Sequence, residues 1–168
     1  MLMRVEFYKA EEGSRLCGWV ATPPHRRPFQ GSMMAAGRDL PHDLTQFTIE
    51  RSLKIRDGFW GLLAHGAWFP SVPGRRPTEP GRAIVRAHHT ALVAVEFVVN
   101  GHYLAWKRGA ATPLIPELDA MYARWLALPV GQRLALEWRV YPLPRSGARS
   151  ERHRVGRRGR RPHTRGAA

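Results

Sequence analysis

The side chains best suited to chemistry lie within residues 40–66, LPHDLTQFTIERSLKIRDGFWGLLAHG. His42, Gln46 and Glu50 stand four residues apart, so on a helix they form one ridge. Such a ridge offers two chemistries: ligation of a metal ion, or proton transfer with the carboxylate as general base. Ligation meets a geometric limit. Residues four apart rise about 6 Å along a helix and can share an ion; residues eight apart rise about 12 Å and cannot. The position shared by both pairs is Gln46, a poorer ligand than imidazole. The remaining ligands would have to come from elsewhere, His88 and His102 first, with His65, His89 and Glu96 behind them. The competing reading is a hydrogen-bonded polar row that satisfies buried groups. On balance we expect no metal and no cofactor.

His88 and His102 fall on the apolar stripe of a long helix, fourteen residues and about 21 Å apart. They cannot serve one site together, and at most one of them meets the His42–Glu50 ridge. Phe59, Trp60 and Trp68 beside Arg75 and Arg76 interleave aromatic and basic residues as a single-strand nucleic-acid surface does. Glycine-bracketed aromatics more often mark tight helix packing, and packing is the reading favoured here. No G-x-S-x-G, Walker loop or G-x-G-x-x-G is present, which argues against serine hydrolases, NTPases and dinucleotide enzymes. The segment 59–65 is too short and apolar to read a DNA groove.

The run His42-Asp43-Leu44, then Glu50, then Gly58-Phe59-Trp60-Gly61 resembles a family of small actinobacterial proteins. That family carries a helix of pattern H-D-L-x-H-x-x-x-E followed by Gly-Phe-Trp-Gly. The resemblance covers residues 40–66 and extends to the layout of 1–141. It implies a fold neighbourhood and no reaction. Gln46 stands where the pattern has its middle histidine.

Charge is distributed unevenly over the 168 residues, whose formal net charge is +14. Residues 142–168 hold nine arginines and one acid, Glu151, and after Leu143 the only large apolar residue is Val155. Such a segment buries too little surface to offset its ordering entropy, and we expect a disordered tail. Arg152, Arg154, Arg157, Arg158, Arg160, Arg161 and Arg165 are candidate phosphate contacts for a nonspecific polyanion. The opposing reading is compositional, since 24 arginines against three lysines is what a GC-rich genome produces. The single cysteine, Cys17, excludes a disulfide framework, reads as a buried small hydrophobe and fits a cytoplasmic setting. No apolar run approaches a membrane span, and the charged, alternating N-terminus does not read as a signal peptide.

The elements that must position these residues follow from periodicity. Residues 2–9 alternate, with Met3, Val5 and Phe7 on one face, and read as a strand. A turn at 10–14 leads to a second strand over 15–22, with Gly18 as a possible bulge, and then to a loop reaching Gly37. Asp39 is the expected cap of a helix running to about Lys54, followed by a short helix over 59–65. Residues 70–81 form a proline-held loop. The longest helix starts near 78–82 and ends near Arg108, its stripe being Ile84, His88, Leu92, Val95, Val99, His102 and Trp106. A helix opened by Pro116 and ended by Pro129 precedes a third strand over 133–141. The expected fold is therefore α+β: a small antiparallel sheet, the N-terminal hairpin plus a C-terminal strand, packed against about four helices in one domain over 1–141. Three functions fit. A non-enzymatic binding or interaction module with an unidentified protein partner ranks first. The others are a small metal-dependent or acid–base enzyme using His42, Glu50 and a long-helix histidine, and a nonspecific nucleic-acid binder acting through the tail.

Overall fold

The computed structural model describes residues 1–10, 16–31, 33–35, 39–73 and 75–144. The expected turn at 10–14 and the arginine candidates of the tail lie outside the described residues, apart from Ala10. Strand β1 (Leu2–Lys9) pairs antiparallel with β2 (Leu16–Thr22) on one side and with β5 (Arg133–Arg139) on the other. Two short strands, β3 (Phe29–Gln30) and β4 (Met34–Ala35), both pair with β2. They fall inside the stretch expected to be loop. Two-residue strands carry no periodic signal and exist because β2 offers an open edge. Gly18 is no bulge: it pairs in register with Tyr8, and a Cβ there would lie 2.7 Å from the tyrosine hydroxyl oxygen.

Four helices complete the α+β fold: α1 (His42–Ser52), α2 (Phe59–Ala64), α3 (Glu79–Lys107) and α4 (Ile115–Ala127). The alternating pattern decides which sheet face they cover. Met3, Val5 and Phe7 of β1, Cys17, Trp19 and Ala21 of β2, and Leu134, Leu136 and Trp138 of β5 are all buried. The opposite face carries Arg4, Glu6 and Arg133, joined in surface ion pairs. At the centre, the Trp60 ring makes edge contacts with Phe7, Trp19, Phe47 and Phe59.

Helix ends depart from expectation in two places. Asp39 does not cap α1. The cap position is Pro41, which offers no side-chain hydrogen bond, and Asp39 instead pairs with Lys107 at the far end of α3. At its other end α1 stops at Ser52, where Lys54 turns left-handed (φ +55°) and the Ile55 N–H bonds back to the Glu50 carbonyl at 2.9 Å. Glycine usually supplies this conformation, which is why the sequence shows no stop before Gly58. Helix α3 begins as expected, with the Thr78 hydroxyl accepting from the Gly81 N–H at 3.2 Å. Among the described residues no helix is long and apolar enough to cross a membrane.

Candidate functional site

Helix α1 holds the polar ridge against α2 and α3. The Gln46 side-chain amide donates to Glu50 Oε1 at 3.0 Å and to Glu96 Oε1, on α3, at 2.6 Å. Both amide hydrogens are thereby used, each on a carboxylate. Imidazole nitrogens point in divergent directions and carry at most one hydrogen each, so a histidine at 46 could not make this double donation from one atom. Gln46 thereby ties α1 to α3.

Glu50 has no exposed surface. Its Oε1 accepts from the Phe59 N–H at 3.0 Å and its Oε2 from the Trp60 N–H at 3.1 Å. These amides open α2, whose cap position, Gly58, provides no side-chain bond. First-turn amides lack helical partners, and Glu50 supplies them from another helix. Gly58 makes room for it, because a Cβ there would lie 2.5–2.6 Å from the carboxylate atoms. Burial pushes the Glu50 carboxyl up to about 8, Glu96 pushes the same way, and the three N–H donors pull against them. Glu50 is a buried cap for α2, and the Gly-Phe-Trp-Gly segment is its receptor.

His42 lies at the open end of the ridge. Its Nδ1 stands 3.3 Å from Asp43 Oδ1, and that contact holds its pKa above the ordinary value. Asp43 also accepts from Trp19 Nε1 at 2.6 Å through its other oxygen, linking α1 to the sheet. Beside His42 lies a cleft of about 220 Å³ between the start of α1 and the C-terminal half of α3, lined by Asp39, Leu40, Thr45, Val99, Asn100 and Tyr103.

The long-helix histidines do not join the ridge. Along α3, His88 is eight residues from Glu96, a rise of about 12 Å, and His102 is six residues away, about 9 Å. His88 is buried, while His102 Nδ1 lies 2.7 Å from Thr112 Oγ1 in the α3–α4 connection. His65 Nε2 is 2.7 Å from the Tyr141 carbonyl. Among the described residues no three His, Cys, Asp or Glu side chains are grouped to hold a metal ion. The aromatic–basic surface does not form either: Trp60 is fully buried, Trp68 donates to the Arg75 carbonyl at 3.1 Å, and Arg75 lies over Phe29. Cys17 is buried in β2, and burial pushes its thiol up to about 11.

The surface missed in the sequence is the outer face of α3. Its inner stripe packs as expected, with His88, Val95 and Val99 buried and Ile84, Leu92 and Trp106 partly so. On the outer side Phe97 keeps 75% of its surface exposed and Leu104 46%, and Val93 and Val98, on the two flanks of that side, keep 43% and 42%. A shallow groove of about 370 Å³ runs along this face, lined by Phe97, Val98, Gly101, His102, Ala105 and Thr112 with its neighbours. The signal was present: Ala83, Ala87, Thr90, Ala94, Phe97, Gly101 and Leu104 recur at steps of 4, 3, 4, 3, 4 and 3. This is a second apolar stripe, and a helix apolar on two faces is one that both sides bury.

In comparisons with known proteins, no family model, curated protein or solved structure matches the chain.

Proposed function

We propose that this protein is a non-enzymatic interaction module acting in the cytoplasm, and that its binding surface is the outer face of α3. The observation that carries the reading is Phe97, an aromatic side chain three-quarters exposed, with Leu104, Val93 and Val98 also exposed on the same helix. Grouped exposed apolar side chains are a mark of interaction surfaces. The state of the ridge supports the same reading, because Glu50, the carboxylate of the acid–base alternative, is occupied as an internal cap. The kinship suggested by the His42-Asp43-Leu44…Glu50 motif belongs to this proposal, with the motif serving to hold α1, α2 and α3 together.

The test is site-specific photo-crosslinking in cells of the full chain, with the crosslinker at position 97 and, as control, at Arg4 on the open sheet face. Protein adducts at 97 and none at 4 are expected. Equal yields at both positions, or none at 97, would overturn the reading.

The charge distribution favours a second activity, nonspecific polyanion binding through residues 142–168, which hold nine of the 27 cationic side chains. Affinity for a mixed-sequence RNA should collapse between low and moderate salt and disappear when these residues are deleted.

A further inference from the structure

We propose that the basic patch where α1 ends beside β5, built on Arg51, Lys54 and Arg139 with Arg56 and Arg124 at its edges, seats the phosphate backbone of a nucleic-acid duplex. This rests on the polyanion reading of residues 142–168 and says where on the folded part of the chain the bound duplex lies.

The cations come together from α1, the loop after it, α4 and β5. Residues 51–56, RSLKIR, hold three cations and no acid. Arg51, Lys54 and Arg139 line one recess of about 30 Å³ together with Trp138, Tyr141 and Glu50. Arg56 joins them through Tyr141: its guanidinium carbon lies 5.4 Å from the centre of that ring, and the Arg139 guanidinium carbon lies 5.7 Å from it. Helix α4 packs beside α1. Burial, and then the charge of Arg124 on α4, hold the Arg51 guanidinium below its ordinary pKa.

None of these five cations pairs with a carboxylate among the described residues. Elsewhere Arg4 and Arg133 share Glu6, Arg86 pairs with Glu79 and Lys107 with Asp39. The acids nearest in sequence, Asp57 and Glu137, form no ion pair among the described residues, and Glu50 accepts from the Phe59 and Trp60 amides. The dipole of α1 favours cations near its C-terminus, which accounts for Arg51 and Lys54. It does not account for Arg56, Arg124 and Arg139, and the repulsion among gathered like charges is relieved by an anion from outside the chain.

The patch also selects the kind of anion. A recess of about 30 Å³ takes the oxygens of one phosphate and no base. Its aromatic residues offer no stacking platform: Phe47 and Trp138 are buried, and the half-buried Tyr141 carries two guanidinium groups. Contacts are therefore to the backbone, which favours a duplex, with one charge per about 1.7 Å of axis, over a single strand. The segment that holds nine arginines begins directly after Tyr141, so the two cationic regions adjoin along the chain. An acidic membrane would call for apolar side chains that insert into it. Over residues 51–56 the one exposed large apolar side chain is Leu53.

The experiment uses the full chain and a fluorescein-labelled RNA duplex of mixed sequence, about twenty base pairs long, with anisotropy as the readout. Arg51→Gln, Lys54→Gln and Arg139→Gln together should weaken binding at least tenfold at about 0.1 M salt and lower the slope of log affinity against log salt by about 0.9 for each cation engaged. The far-ultraviolet circular dichroism should not change. Arg4→Gln, Arg86→Gln and Arg133→Gln remove the same charge from paired positions and should weaken binding by less than about threefold. A DNA duplex of the same sequence should show the same dependence on the patch, and the single strand should bind more weakly than either. Equal losses from the two triple variants, or a preference for the single strand, overturn the proposal. Patch-dependent binding to phosphatidylserine vesicles without binding to the duplex overturns it as well. Replacing the arginines of residues 142–168 by glutamine tests the tail separately. If that abolishes binding and the patch variant does not weaken it, the seat on the fold fails and the tail reading stands. If the patch variant weakens binding and the tail variant does not, the tail reading fails and the patch alone is the site. If the full chain binds no duplex, both fail.

Discussion

Trp60 on α2 and Phe97 on α3 are both aromatic residues on helices, and the fold treats them oppositely. Trp60 has no exposed surface, meets four other aromatic rings edge-on, and donates its indole N–H to the Asp43 carbonyl at 3.2 Å. Phe97 keeps three-quarters of its surface in solvent. The region around Trp60 is closed in every respect: rings interlock, the α2 amides have an acceptor in Glu50, and glycine at 58 leaves room for nothing larger. Around Phe97 the same kind of apolar surface has no cover among the described residues. The difference separates the part of the molecule that makes the fold from the part that the fold presents.

Substitutions at the closed region should have the largest effects. Trp60→Ala empties the centre of the aromatic cluster and should cost about 4 kcal/mol in denaturant unfolding. Phe97→Ala should cost less than about 0.5 kcal/mol, as for an ordinary surface site. Equal losses would erase the distinction.

The pH dependence comes next. The Glu50 carboxyl titrates at about 8 in the fold against an ordinary 4.5, so the folded state binds that proton more tightly than the unfolded chain. Its contribution is fully present below about pH 4.5 and is lost as the pH rises through about 8. Unfolding free energy should therefore fall across that window, by on the order of 3 kcal/mol. Glu50→Gln should flatten the slope, and a Glu50 variant that keeps the full slope would assign it to other groups.

A smaller effect tests the receptor for Glu50. Gly58→Ala forces the carboxylate off the α2 amides and should cost about 2 kcal/mol, even though the glycine backbone (φ −80°) is one any residue adopts. Unchanged stability would show that the carboxylate shifts without loss.

The finest test lies on α3 alone. Val95 is buried and Val93, two residues away, points outward. Val95→Ala should cost about 1.5 kcal/mol and Val93→Ala almost nothing in denaturant unfolding.

Much of this arrangement was legible along the chain. The alternation of Met3, Val5 and Phe7 and of Leu134, Leu136 and Trp138 placed two strands and their buried faces, because a half-buried strand writes its faces at period two. The inner stripe of α3, its expected start near 78–82 and the opening of α4 at Pro116 placed the helices. The ridge was also visible, and the structure joins its Gln46 and Glu50. The recipients of those side chains were not visible. Glu50 serves amides nine and ten residues away in a different helix, and Gln46 reaches Glu96, fifty residues on. Periodicity describes neighbours on one element and carries no information about which element arrives opposite.

The sequence by itself thus determined the long strands, the helices and the faces they bury, because hydrophobic burial acts residue by residue on a fixed local geometry. It also contained both stripes of α3. The stripe from Ile84 to Trp106 packs as expected, and only the tertiary structure shows that the other face stays open, since α1 and α2 pack against one side of that helix. It likewise turned the ridge from a candidate ligand set into a cap, because the nearest donors to the buried carboxylate are the backbone amides at the start of α2.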